Sequence, residues 1–182
     1  MWFSDFLLGK KKNNARQQIL SKPVGLQQPQ NAPGPVVRET QIAYNPDLVP
    51  QLKAEHQHLL ELFGMVMTAF SQNDLPSTVK LLGDFRRKLH GHRLTENIRF
   101  YIYLEHSLAE DREKLFIAYS FRQEMEEIGK VMHAFVHKYK EIATHPDAFT
   151  SFGQELDNIG KVLVNRIQRE EKILYPLYFQ TY

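Results

Sequence analysis

From Leu48 onward, apolar residues recur at three- and four-residue spacings almost without a break, the pattern of amphipathic helices. The first segment spans about 48–71, with Leu52, Leu59, Phe63, Val66 and Phe70 on one face. Asn73-Asp74-Leu75-Pro76-Ser77 stops it and starts the next. A second helix is predicted over 76–106, with Leu82, Phe85, Leu89, Phe100 and Tyr103 inward. A third is predicted over 109–143, with Ile117, Phe121, Met125, Ile128, Met132, Phe135, Tyr139 and Ile142 inward. Thr144-His145-Pro146-Asp147 breaks it. A fourth follows over 148–175, with Phe152, Leu156, Ile159, Leu163 and Leu174 inward, and Pro176 ends it. Four amphipathic helices joined by short connections have one economical packing. The expected fold is all-α, an antiparallel up-down-up-down four-helix bundle over 48–182.

Residues 1–47 break this pattern. Pro23, Pro29, Pro33, Pro35 and Pro46 fall here, with glutamines at 17, 18, 27, 28, 30 and 41. Such a stretch buries too little apolar surface to order itself, so it reads as an extended, flexible N-terminal arm. Its start differs: Trp2, Phe3, Phe6 and Leu7 fit one helical face, followed by Lys10 to Lys12. These residues are expected either to dock a protein partner, with peripheral contact to a membrane surface as the other use, or to pack back on the bundle.

The chain has no cysteine and eight histidines. Thiolate metal sites, disulfides and a cysteine nucleophile are excluded, and any metal must be held by nitrogen and oxygen. Lys and Arg number 23 against 21 Asp and Glu. So even a balance argues against a nucleic-acid partner. The chain has no apolar run long enough to span a bilayer and no basic-then-apolar leader, so a cytoplasmic location is expected. Phosphate-loop, GxSxG and kinase signatures are absent, and the expectation is a non-enzymatic chain.

Helical phase sorts the polar residues, since each residue advances about 100°. His56 falls within roughly 20° of its apolar stripe, Glu96 lies near the stripe centre and His92 about 45° from it. Glu170 lies close to the centre of its stripe, and Arg166 flanks it by about 60°. The conspicuous His133/His137 pair points outward, about 130° and 170° away. His56, His92, Glu96, Glu170 and Arg166 thus converge on one core. Buried charges are costly unless paired or coordinated. Two explanations stand: a cation held by histidine and carboxylate, or a metal-free network with Arg166 as the cation.

The chain also repeats itself. Residues 52–59 (LKAEHQHL) align with 121–128 (FRQEMEEI), and 92–101 (HRLTENIRFY) with 166–175 (RIQREEKILY). One hairpin offers His56, His92 and Glu96. The other offers Met125, Arg166 and Glu170.

These residues resemble the hemerythrin-like, or HHE cation-binding, family over about 48–178. The resemblance is carried by Glu55-His56, His92-xxx-Glu96 and Arg166-xxx-Glu170-Glu171-xx-Leu174-Tyr175-Pro176. It implies an antiparallel four-helix bundle and a non-haem di-iron site used to bind or sense oxygen or nitric oxide, or to store iron. His56, His92, Glu96 and Glu170 match the family's ligand positions. Met125 stands where the resemblance places a third-helix histidine, and Arg166 where it places a fourth-helix one. A thioether is a poor ligand for iron among nitrogen and oxygen donors, and a guanidinium cannot ligate. The expected cofactor is therefore none or one non-haem metal ion, with iron the first choice. The expected function is a regulatory or signalling interaction protein with a degenerate metal site. The alternative is a single-metal sensor of oxygen, nitric oxide or redox state.

Overall fold

The computed structural model describes residues 43–179. The segment Trp2, Phe3, Phe6 and Leu7 lies outside them. Helix α1 spans Leu48–Ser71 and α2 spans Leu75–Thr95. A π-turn, Glu96–Phe100, carries α2 on into α3, Tyr101–Ser107. Helix α4 is Arg112–Lys138. Two 3-10 turns, Ile142–Thr144 and Pro146–Ala148, lead to α5, Phe149–Arg169. A second π-turn, Glu170–Leu174, and a 3-10 turn, Tyr175–Leu177, finish it. With α2 and α3 forming one rod, the described residues make a four-helix bundle with no strand.

Local chemistry sets the boundaries. Asn73 takes a left-handed conformation at φ 57°, which asparagine tolerates better than most residues. Asp74 then caps α2, its carboxylate accepting from the Ser77 amide at 3.1 Å. Asp111 caps α4 in the same way, accepting from Lys114 N at 3.1 Å. Each cap contributes about 1 kcal/mol. Helix α4 ends at Lys138, five residues before the expected 143. The apolar spacing misleads there, because Ile142 is buried through a 3-10 turn rather than a continuing α-helix.

The core falls into two apolar clusters. The larger contains Phe63, Phe85, Met125, Phe135, Phe152 and Ile167. The smaller contains Leu48, Leu52, Phe100, Tyr103, Phe121 and Tyr178. Phe70 and Ile117, expected inward, are only half-buried. Along α1, His56 lies between Leu52 of the smaller cluster and Leu59 of the larger. Along the α2–α3 rod, His92 and Glu96 lie between Leu89 and Phe100. Arg166 and Glu170 lie between Leu163 and Leu174. A polar layer therefore separates the two clusters.

Tyr44 and Asn45 close one end of the bundle. Tyr44 stacks on Tyr178 with centroids 5.2 Å apart, and Asn45 N donates to the Tyr178 hydroxyl at 3.0 Å. At α1 and α5 the rods approach closely: a Cβ on Gly160 would come within 2.7 Å of the Phe63 ring. No described helix is long and apolar enough to cross a membrane.

Candidate metal centre

His56, His92, Glu96 and Glu170 are all buried, and one donor atom from each lies within 4.8 Å of the others. Two π-turns aim them. In a regular α-helix the residue eight positions on is rotated by about 80°. A wider i to i+5 turn delays that drift. His92, Glu96 and Phe100 are all buried along the first π-turn, and Arg166, Glu170 and Leu174 along the second.

The histidines are backed by carboxylates. His92 Nδ1 donates to Glu55 Oε2 at 2.9 Å, and His56 Nδ1 donates to Glu171 Oε1 at 2.9 Å. Each bond assigns the ring proton to Nδ1 and turns Nε2 toward the centre. Carboxylate-backed imidazole is the arrangement that orients a metal ligand and raises its basicity. His92 Nε2, Glu96 Oε2 and both Glu170 oxygens are buried without a hydrogen-bond partner. Orphaned buried polar atoms are rare and costly. A first-row ion binds at roughly 2.0–2.2 Å, which spaces its ligands about 3–4.3 Å apart. The donor set is close to that spacing, and two imidazoles with two carboxylates suit iron, zinc or manganese. The residues fit a metal ion.

Arg166 completes the layer from the other side. Its relative exposure is 1% and that of Glu170 is 0%. Nη2 lies 2.7 Å from Glu170 Oε1, an ion pair without hydrogen-bond alignment. Nη1 donates to Glu124 Oε2 at 2.9 Å, and Nη2 donates to the Phe121 carbonyl at 3.0 Å. Arg166 therefore pairs with Glu170 and Glu124. Glu124 also accepts from Arg169 at 2.7 Å. Met125 is buried among apolar side chains of the larger cluster. His133 and His137 are exposed, as their phase predicts.

Protonation follows from these contacts. Burial opposes a charge on Glu170, but the His56 ring, with Nε2 3.2 Å from Oε2, and the Arg166 charge win and lower its pKa. Burial opposes charge on His56 as well, yet Glu170 and Glu171 raise its pKa. Burial and the neighbouring His56 charge lower His92. Burial, then the Glu170 charge, raises Glu96 well above the ordinary carboxylate range. Glu55 is lowered: burial works against this, and hydrogen bonds from Gln51 and His92 outweigh it.

Helical phase assigns no site role to Glu171, Tyr175 or Tyr101. Glu171 backs His56. The Tyr175 hydroxyl donates to Glu96 Oε1 at 3.0 Å and lies 3.2 Å from His56 Nε2. Tyr101 lies 3.5 Å from Arg166 Nη2. The repeat did hold a signal, since Tyr101 and Tyr175 align.

Residues 47–178 match the family model for the hemerythrin HHE cation binding domain. The chain belongs to the hemerythrin HHE cation-binding family. No curated protein matches the chain, and no solved structure does. Within this hemerythrin-like frame the centre is asymmetric. One half carries His56, His92 and Glu96, and the other carries Met125, Arg166 and Glu170.

Proposed function

We propose that this hemerythrin-like chain is a regulatory module that holds one non-haem metal ion, iron first among the candidates. His56, His92, Glu96 and Glu170 hold it, and Arg166 takes the place of a second cation. The observation that supports this reading is the convergence of unpartnered buried donor atoms backed by carboxylate-oriented imidazoles. A non-haem iron supplies a centre that binds small diatomic ligands or changes redox state. The chain's residues supply the rest. Glu55 and Glu171 fix the imidazole tautomers, Tyr175 holds a proton against Glu96, and Arg166 neutralises Glu170. The two apolar clusters keep bulk water from the layer.

The role is sensing rather than catalysis, and Trp2, Phe3, Phe6 and Leu7 supply the contact with a protein partner. The metal-free scaffold is the second reading, favoured by the Arg166–Glu170 pair, which already balances one carboxylate. Expression of the full chain in iron-supplemented medium, followed by metal analysis, separates the two. Bound iron, with a fall in thermal stability on chelation, supports the metal-binding module. An iron-free protein indifferent to chelator supports the scaffold.

A further inference from the structure

Between α2 and α4 lies a cleft of about 380 Å³, away from the metal ligands and lined by no carboxylate among the described residues. Its floor is apolar, formed by Leu89 and Met132, both buried. Its walls carry Arg86, His90, Arg93 and His133. Among the described residues, Arg86, His90 and His133 have no ion-pair or hydrogen-bond partner, whereas Arg87 at the rim is paired with Asp84. Arg93 reaches Glu126 only at 3.6 Å, and its buried Nε has no acceptor. Its guanidinium packs against Gly129, where a Cβ would overlap it. The absence of a side chain at 129 thus opens the cleft and seats the guanidinium against the α4 backbone. Arg86, His90 and His133 are exposed, so they face solvent around the half-buried Arg93 and are free to turn toward an anion.

We propose that this cleft is a binding site for a small phosphomonoester. Arg86 and Arg93 present planar donor forks to the phosphate oxygens, the bidentate match that guanidinium makes with phosphate. His90 and His133 add ring donors from opposite walls. Leu89 and Met132 receive a small apolar portion of the ligand. Prior seating of Arg93 on Gly129 reduces the ordering cost of binding. The site does not depend on the metal reading, because none of its groups is a proposed ligand.

Calorimetric titration of the full chain with phenyl phosphate, inorganic phosphate and phosphatidylglycerol vesicles tests the site. Phenyl phosphate is expected to bind more tightly than inorganic phosphate, because only it uses the apolar floor. The double variant Arg86→Gln/Arg93→Gln is expected to lose about tenfold or more in affinity. A control that removes two charges elsewhere, Lys80→Gln/Arg112→Gln, should lose much less. Gly129→Ala should weaken binding by displacing Arg93, with helicity by circular dichroism unchanged. The proposal is overturned if the wild type shows no phenyl phosphate binding up to roughly 10 mM. Equal losses in the control, or binding to vesicles alone, overturn it too.

Discussion

Arg166 donates to Glu124 at 2.9 Å in the place where, by the internal repeat, His92 donates to Glu55 at 2.9 Å. The two halves of the bundle keep the same wiring with different donors. The tyrosines obey the same rule crosswise. Tyr175 of the second half reaches Glu96 of the first, and Tyr101 of the first reaches Arg166 of the second. Both halves also carry a π-turn at the matching carboxylate. A guanidinium therefore stands where the symmetry of the chain would put a second metal-binding half-site.

Removal of Arg166 should be severe. Arg166→Met leaves Glu170 buried without its cation, and breaking a buried pair costs about 3–5 kcal/mol. Denaturant melts of the metal-free chain should show that loss. A variant as stable as wild type would mean Glu170 takes up a proton at little cost.

The carboxylates behind the imidazoles should govern affinity rather than folding. Glu55→Gln and Glu171→Gln should each weaken metal binding by about 10–100-fold. Circular dichroism should show unchanged helicity. Competition with a coloured chelator reads the affinity directly, and wild-type values in both variants would remove the orienting role.

The pH dependence of stability should change sign with metal. In the metal-free chain the folded pKa of His56 is raised above its ordinary 6.5. The folded state then binds the extra proton, so its contribution is full below 6.5 and is lost as pH rises through the folded value. Glu96, raised above 4.5, acts in the same direction. Glu170 is lowered, so its contribution is lost only in acid, as pH falls through its folded value. Metal needs neutral His56 and ionised Glu96, so binding releases protons and strengthens as pH rises. His92 is lowered, so it opposes them until pH has passed the ordinary 6.5 of an unfolded histidine. Beyond that, from about a unit above 6.5, melting temperatures should fall for the metal-free chain, and the gain on adding metal should grow.

Gly160→Ala tests the packing alone. The new Cβ would lie 2.7 Å from the Phe63 ring between α1 and α5. Overpacking of this kind costs about 1–3 kcal/mol. Denaturant melts should show it, with metal affinity unaltered.

The bundle was legible because its stripes are long. The α1 bounds and the inward phases of His56, His92, Glu96 and Glu170 follow from three- and four-residue spacing. The outward phase of His133 and His137 does too. Arg166 was placed at the stripe's edge, yet it is fully buried, because three acceptors draw its long side chain inward. Glu55, Glu124 and Glu171 sit at stripe margins, where phase cannot tell a backing carboxylate from a solvated one. The π-turns had no local signal at all, since the spacing they create is read as ordinary α-helix.

The most direct test is the number of metal ions bound at saturation, counted by anaerobic titration of the full chain with ferrous iron. One equivalent per chain is the predicted result, because Arg166 fills the second position. Two equivalents would show that the guanidinium moves aside, and none would show that it neutralises the layer without a metal.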